Sequence, residues 1–304
     1  MSHGHRAGRA PQPSTAVDFA VPEGACDCHT HIHGDPAQFP FDPARAYTPE
    51  TALPHEMASL HAALHVRRVV IVTPSVYGTD NSATLFGMKA RGADARGVVV
   101  IGEGTPDEEL DAMHAAGVRG MRLNLSTAGI HDPAVARKAL QRALQRAAAR
   151  GWHVQVFTHP PTIEAVADIV RHAPVPVVFD HFGGAVAAAG TAQPGFGDLV
   201  DLVRTGHAYV KISGAYRSSV LAPDFPDIVP FARALIEANA NRVLWGTDWP
   251  HPSGATPAGR NRLEITPAHP IDDGRLMNQL ATWAPDESLR ARILVHNPAR
   301  LYEF

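Results

Sequence analysis

Several features that mark common classes of protein are missing from this sequence. No run of about 18 apolar residues occurs, so no helix is expected to span a membrane. Lysine and arginine number 27 against 30 acidic residues, so the chain lacks the basic excess typical of nucleic-acid-binding proteins. Residues 1–20 lack the apolar core of a signal peptide, and their Gly, Pro and Arg content predicts a flexible tail.

Cysteine is also scarce, since the chain of 304 residues holds only Cys26 and Cys28. On an extended strand, side chains at this spacing lie roughly 6.5–7 Å apart, too far for a good disulfide. No second cysteine pair is present to complete a structural zinc site. Two free thiols are typical of a reducing compartment, so we expect a cytoplasmic protein.

Apolar residues, in contrast, make up 45% of the chain, enough for a large core. Short β-like runs recur along the sequence, most of them rich in Val and Ile without clean alternation. This pattern is typical of parallel strands that are covered on both faces. The eight runs are 25–31, 67–74, 97–104, 118–125, 152–159, 176–183, 208–214 and 242–250.

Helical patterns lie between these runs. The strongest covers 132–151, with Asp132 as its N-cap and Pro133 in its first turn. Another, 49–65, is predicted to begin at Pro49 with Thr48 as its cap, and two more cover 106–117 and 163–174. Eight strands alternating with helices over roughly 250 residues predict an α/β fold, a TIM (β/α)₈ barrel, as a single domain over 21–304.

An open, doubly wound sheet is the alternative architecture. It would have a Gly-rich phosphate turn after the first strand, whereas this chain continues as HTHIHGDPAQFPF. The last strand is followed by a Pro- and Gly-rich loop, 251–271. In a barrel, that loop is expected to lie over the catalytic face.

Polar side chains gather where the predicted strands end, which in a barrel is the catalytic face. An unpaired carboxylate at Asp248 would be costly in its apolar surroundings, so we predict a functional role for it. The strand ends carry His29, His31, Arg122, Asn124, His181 and Asp248.

Strand alternation makes a specific prediction for CDCHTHIH at 26–33. Asp27, His29 and His31 should share one face, and Cys26 and Cys28 the other. If the histidines point into the barrel mouth, the cysteines should face the surrounding helices. His33 follows on the histidine face but lies past the expected strand end, so we predict only a place near the pocket.

Imidazoles and a carboxylate at one barrel mouth can work in two ways. They can hold one divalent metal, zinc or manganese, whose bound water ionises near neutral pH. Alternatively, without a metal, the carboxylate takes a proton from water while histidines and arginines stabilise the oxyanion. Both routes predict hydrolysis of a carbonyl compound. His159 could be a further ligand or a loop histidine.

Three motifs carry a resemblance to a known family: DCHTH at 27–31, DHFGG at 180–184 and WGTDWPHP at 245–252. Together they resemble the amidohydrolase superfamily, and more narrowly its lactonase branch, which includes 2-pyrone-4,6-dicarboxylate lactonase, 4-sulfomuconolactone hydrolase and sugar-lactone enzymes. The resemblance implies a distorted (β/α)₈ barrel and attack of water on a cyclic ester.

The resemblance also implies roles for individual residues. Asp248 would activate water, and His29, His31 and His181 would polarise the carbonyl or, with Asp248, bind a metal. The branch includes enzymes thought to work without metal that keep these residues, so both chemistries stay open. The residues expected to bind a small anionic lactone are Arg122, Arg217, Tyr47, Ser75, Asn124 and Phe157.

Two departures from the pyrone lactonase bear on the substrate. Its further arginine after strand four is absent from MRLNLSTAGIHD, and its strand-five tyrosine is Phe157 here. Three functions remain open: a lactone hydrolase, a lactone isomerase or decarboxylase at the same site, and a non-enzymatic binding barrel. The oligomeric state cannot be predicted from the sequence.

Overall fold

All eight predicted runs form strands of one parallel sheet in the computed structural model, which describes residues 12–304. Each strand pairs with the next along the chain. The strands are β1 (Cys26–Thr30), β2 (Arg68–Val72), β3 (Ala95–Val99), β4 (Val118–Asn124), β5 (His153–Phe157), β6 (Val177–Phe179), β7 (Ala208–Ser213) and β8 (Val243–Gly246).

The sheet closes where β8 returns to β1. The amide of Asp248 donates to the carbonyl of His29 at 2.9 Å, and the amide of His31 donates to the carbonyl of Trp249 at 2.8 Å. The predicted TIM barrel is therefore confirmed. The helices around it are α1 (Pro54–Ala63), α2 (Ser82–Arg91), α3 (Asp107–Ala115), α4 (Pro133–Ala148), α5 (Pro160–Arg171), α6 (Phe196–Arg204), α7 (Ala215–Ser218), α8 (Val229–Asn239), α9 (Asp273–Trp283), α10 (Glu287–Ala291) and α11 (Asn297–Tyr302).

Helix starts show where local signals hold and where they fail. Asp132 caps α4 as predicted, accepting from the amide of Ala134 at 2.8 Å. The predicted start of a helix at Pro49 is wrong, because Thr48–Pro49 pairs with Ile265–Thr266 in a two-stranded ribbon. The first helix instead begins at Pro54. The ribbon ties the 251–271 loop to the segment after β1, and Pro252 and Gly254 of this loop line a cavity at the mouth.

Apolar side chains form two separate layers. The outward residues of the strands, such as Val69 and Ile71, pack with the helices. The inward residues, such as Val70 and Val72, form a smaller cluster inside the barrel. Tyr302 is buried in this inner cluster, 5.2 Å from the ring of His153, so the C-terminal segment closes the end of the barrel opposite the mouth.

Strand β1 departs from simple alternation, so the predicted faces of CDCHTHIH are wrong for Asp27, Cys26 and Cys28, whereas His29 and His31 share the mouth as predicted. Asp27 pairs with Val69 and Thr30 with Ile71, so β1 gains one residue against β2, as in a β-bulge. Cys26 and Cys28 lie in the inner cluster rather than against the helices. Asp27 instead contacts His61 of α1 at 3.2 Å. The extra residue brings His29 back to the interior.

The N-terminal segment packs on the start of α9. Ser14 and Thr15 donate from their hydroxyls to the Asp272 carboxylate at 2.7 and 2.6 Å. Residues 1–11 of the predicted tail lie outside the described residues, and the domain boundary at residue 21 stays a prediction. Among the described helices, none is long and apolar enough to cross a membrane.

Candidate active site

Three imidazoles converge on one carboxylate at the barrel mouth. His29 and His31 come from the end of β1, His181 follows β6, and Asp248 follows β8. Their Nε2 atoms lie 3.7, 3.4 and 3.8 Å from the Asp248 carboxylate oxygens. The four residues predicted as the catalytic group are thus brought together, and all are buried.

Backbone geometry turns two of these side chains into place. His181 and Asp248 have φ angles of +48° and +63°, the left-handed region that residues with a Cβ seldom occupy. Such strain persists where the surrounding structure fixes it, and it is common at active sites. Here it occurs directly after β6 and β8, at the two positions whose side chains meet His29.

Hydrogen bonds behind the rings orient two of the histidines. His31 Nδ1 lies 2.8 Å from the Val72 carbonyl oxygen, which can only accept, so Nδ1 carries a proton. His181 Nδ1 lies 2.9 Å from the Ser213 hydroxyl. Both rings therefore present Nε2 to the mouth, and that of the neutral His31 ring carries a lone pair.

The two oxygens of Asp248 have different surroundings. Oδ2 accepts from the Tyr216 hydroxyl at 2.7 Å and from Arg217 Nε at 2.5 Å. Oδ1 has no hydrogen-bond partner among the described residues. Burial alone would raise the pKa of Asp248, but the Arg217 guanidinium beside it holds that pKa well below the usual carboxyl range. The site therefore presents an ionised carboxylate with one available oxygen.

The imidazoles, in contrast, are held neutral. Burial is the largest cause in each case, lowering the pKa of His31, lowering that of His181 to about 4, and placing that of His29 well below its usual value. At neutral pH each ring therefore offers either a lone pair or a single N–H to the mouth.

A buried polar cluster lies behind His29 and was not among the predicted site residues. Its members are Gln155 on β5, Asp180 after β6 and Lys211 on β7. Gln155 Nε2 donates to Asp180 Oδ2 at 3.0 Å, while Lys211 Nζ donates to Gln155 Oε1 at 2.6 Å. A lysine within the apolar run AYVKISG was the available signal, because a buried charge requires a partner.

The donor atoms at the mouth fit a divalent metal. Two overlapping groups each place three ligand atoms within 4.8 Å of one another: His29, His31 and Asp248, and His29, Asp180 and His181. The proton on His31 Nδ1 leaves its Nε2 free to coordinate, and Asp248 Oδ1 has no hydrogen-bond partner among the described residues. A site dominated by imidazoles favours zinc over manganese.

All the residues predicted to bind substrate line one cavity beside these histidines. Arg122 lies over the Phe157 ring at 5.7 Å and contacts Asp180 Oδ2 at 3.5 Å. Arg217 donates from Nε to the Asp248 carboxylate and from Nη2 to the Pro252 carbonyl at 3.0 Å. The cavity wall includes Tyr47, Ser75, Arg122, Asn124, Phe157 and Arg217.

The remaining candidates lie at the edge of the site. The ring of His33 stacks on that of His31 at 6.3 Å, and its backbone pairs with Ala52. His159 Nε2 lies 2.9 Å from the Ser126 hydroxyl, in a neighbouring cavity, and it is in neither group of metal-ligand atoms. Burial lowers the pKa of His159.

Comparisons with known proteins agree with this geometry. The family model described as amidohydrolase matches residues 26–304. The chain is 35% identical over 289 residues to 4-sulfomuconolactone hydrolase from Rhizobium radiobacter, covering 95% of this chain and 93% of the relative. It is 34% identical over 293 residues to 2-pyrone-4,6-dicarboxylate hydrolase from Comamonas testosteroni, covering 93% and 92%.

Another relative carries a different activity in its name. D-galactarolactone isomerase from Agrobacterium fabrum is 31% identical over 300 residues, covering 95% of this chain and 94% of the relative. Among solved structures, an apo protein from Agrobacterium tumefaciens matches with a TM-score of 0.79 and 28% identity, covering 95% and 99% of the two chains.

Proposed function

This chain belongs to the amidohydrolase family, and from that premise we propose that it hydrolyses a small lactone bearing an anionic substituent. The observation that carries the proposal is the Asp248 carboxylate, held ionised, with Oδ1 available and facing neutral imidazoles. The relatives named as hydrolases of 4-sulfomuconolactone and of 2-pyrone-4,6-dicarboxylate support the reaction class. The two buried free thiols support the expected cytoplasmic location.

In the proposed reaction, water binds between Asp248 Oδ1 and the lactone carbonyl carbon. As water attacks, its proton passes to Asp248 and a new C–O bond forms. The tetrahedral oxyanion then collapses, the ring C–O bond breaks, and the leaving alkoxide takes the proton from Asp248. The net change is addition of one water across the ester bond, which yields a hydroxy acid.

The low pKa of Asp248 determines how much proton transfer and oxyanion stabilisation each contribute to the rate. A carboxylate of low pKa is fully ionised at neutral pH but is a weak base, so proton transfer alone gains little. Stabilisation of the oxyanion has to supply most of the rate, and one such donor can contribute 10²–10³-fold. Imidazole N–H groups at the mouth would serve as these donors.

A bound divalent metal would be held by His31, Asp248 and a further histidine, and it would supply a Lewis acid for the carbonyl and a water of lower pKa. The roles of the protein's own groups remain the same with or without it. Asp248 accepts the proton, and the arginines of the cavity hold the substrate's negative charge.

Arg122 is the group best placed to hold the anionic substituent. It lines both the cavity at the histidines and an adjoining cavity whose wall also includes Arg45. Arg45 has no ion pair with a carboxylate among the described residues; it donates to Thr48 Oγ1 at 2.8 Å and to the Asp42 carbonyl at 3.1 Å. A second anionic group on a longer substrate could therefore be bound there, where the pyrone lactonase's further arginine is absent.

The decisive test is Asp248→Asn, assayed against a panel of carboxylated and sulfonated lactones with and without a chelator. We expect a loss of kcat/KM of about 10³-fold or more, because general base catalysis contributes 10²–10⁴-fold and the charge is lost as well. Circular dichroism would confirm that the variant folds. Full activity in a folded Asp248→Asn protein would refute the role.

Lactone isomerisation is the second candidate, and it is supported by the isomerase among the relatives. The same carboxylate would activate a hydroxyl of the substrate instead of water. Turnover in ¹⁸O-labelled water distinguishes the two reactions, because only hydrolysis places solvent oxygen in the product. Product without label would favour isomerisation.

A further inference from the structure

Lys211 is fully buried inside the barrel, and its ammonium group lies directly behind a histidine of the mouth. Its Nζ atom donates to Gln155 Oε1 at 2.6 Å and lies 3.5 Å from Asp180 Oδ1. The third neighbour is His29 Nδ1, at 3.3 Å with hydrogen-bond geometry. The ammonium group thus lies among one amide oxygen, one carboxylate oxygen and one imidazole nitrogen.

This contact restricts the protonation of His29. Burial lowers the pKa of Lys211, whereas the neighbouring Asp180 carboxylate raises it and favours the ammonium form. An ammonium group only donates, so the imidazole nitrogen that faces it has to accept. In a neutral ring the single proton is then on Nε2, the nitrogen that points into the mouth. Asp180 Oδ1 also lies 3.2 Å from His29 Nδ1, but that contact lacks hydrogen-bond geometry and this oxygen has no hydrogen-bond partner among the described residues.

We propose that Lys211 is a positioning residue that keeps His29 in the Nε2–H tautomer. His29 then serves the mouth as a hydrogen-bond donor rather than as a metal ligand. His31 is the opposite case, because the Val72 carbonyl places its proton on Nδ1 and leaves the lone pair on Nε2. The two histidines of the HTH motif therefore have different roles, one donating and one accepting.

The consequence for the reaction rests on the proposed function. His29 Nε2–H is the donor available for the carbonyl oxygen of the lactone, and it lies 3.7 Å from Asp248 Oδ1. The consequence for metal binding does not rest on the proposed function. Zinc would have to displace the Nε2 proton to bind there, so Lys211 lowers the affinity of the mouth for zinc.

The first test measures the tautomer in the unaltered protein. Long-range ¹H–¹⁵N spectra of protein labelled at histidine distinguish a protonated from an unprotonated ring nitrogen, and His29→Gln identifies the signals of His29. We expect a protonated Nε2 and an unprotonated Nδ1. A proton on Nδ1 would overturn the proposal, whether or not any lactone is a substrate.

The second test is Lys211→Met, titrated with zinc. Removing the cation should let Nε2 present its lone pair, so we expect zinc to bind about tenfold tighter or more. Tenfold is the lower end of the change in metal affinity that follows when a residue contacting a metal ligand is altered. We expect kcat/KM to fall about 10²-fold, as when one oxyanion donor is lost. Lys211→Gln keeps an N–H donor and should retain part of the activity.

The control is Lys138→Met, an exposed lysine of α4, which should change neither quantity. Unchanged or weaker zinc binding by folded Lys211→Met would contradict the proposal. If Lys211→Met does not fold, the tautomer in the unaltered protein decides. If the unaltered protein opens no lactone, the zinc titration and the spectra still test Lys211.

Discussion

At the scale of single residues, Arg217 shows how a structure can refine a predicted role. The sequence predicted that Arg217 binds substrate, and it does line the cavity. Its Nε atom, however, is paired with the carboxylate expected to act as base. In the proposed reaction, substrate binding and the basicity of Asp248 are therefore coupled through one guanidinium group.

Arg217→Met should move the acid limb of the pH profile of kcat/KM to higher pH. Arg217 is the largest of the causes that lower the pKa of Asp248, and burial, which raises it, would remain. Loss of an adjacent opposite charge changes a carboxyl pKa by about 1–3 units, so the limb should rise by a similar amount. The measurement is kcat/KM from pH 4 to 8.

Arg122→Met is the matched control for this prediction. Arg122 lines the same cavity but contacts Asp180 rather than Asp248. Arg122→Met should raise KM but leave the acid limb of the pH profile of kcat/KM at the same pH as in the unaltered protein. Identical limbs in both variants would show that Arg217 does not control Asp248.

At the scale of elements, the bulge in β1 depends on Asp27. Its Oδ1 accepts from the amides of His29 and Thr247 at 3.1 and 3.0 Å, and its Oδ2 accepts from the Thr247 hydroxyl at 2.5 Å. One buried carboxylate thus joins β1 to the end of β8 and fixes the backbone that carries His29. With Asp27 facing outward, the extra residue of the bulge is what brings His29 and His31 to the mouth.

Asp27→Ala should lower both the free energy of unfolding and the activity. It leaves several buried donors without an acceptor, each worth about 1 kcal/mol or more, so we expect a loss of about 3 kcal/mol. Urea unfolding measures the stability, and kcat/KM measures the displacement of His29.

Asp132→Ala is the control for this prediction, because it removes the cap of α4 on the outside of the barrel. It should cost about 1 kcal/mol and leave kcat/KM unchanged. A stability loss for Asp27→Ala no larger than that for Asp132→Ala would contradict the role given to Asp27.

At the scale of the whole molecule, the barrel interior is rich in buried ionisable groups. Burial lowers the pKa of His153, deep in the barrel, to about 3, and that of His181 to about 4. Both groups bind a proton near pH 6.5 in the unfolded chain. As the pH falls below 6.5, the unfolded state therefore takes up protons that the folded state does not.

We accordingly expect the free energy of unfolding to fall steadily between pH 6.5 and pH 4. Stability falls with pH wherever the unfolded state binds more protons, by about 1.4 kcal/mol per pH unit for each such group. From pH 7 to 4.5 the two histidines should together cost roughly 5 kcal/mol. Urea unfolding at the two pH values measures the change.

His153→Leu serves as the internal control, since His153 contacts Tyr302 at the closed end of the barrel, away from the mouth. The variant should show a shallower loss of stability over the same pH range. Equal free energies of unfolding at pH 7 and 4.5 in the unaltered protein would contradict the expectation.

Much of the fold and the grouping of most residues of the candidate site could be predicted from the sequence. Runs of Val and Ile mark strands because burial on both faces is a local property of the sequence. Polar residues at strand ends, such as His181 and Asp248, stand out because a packed core does not tolerate them. The resemblance then allowed Arg122 and Tyr47 to be placed at the same mouth, and the structure puts them there.

What the sequence by itself determined is therefore the number of strands, their order along the chain and the residues at their ends. Only the tertiary structure decided which way those residues face and what lies behind them. The β1 bulge reverses the alternation after Asp27, and it depends on the register against β2. The contact between Lys211 and His29 joins residues 182 positions apart. Such contacts depend on register and closure, which are properties of the whole barrel and leave no local pattern in the sequence.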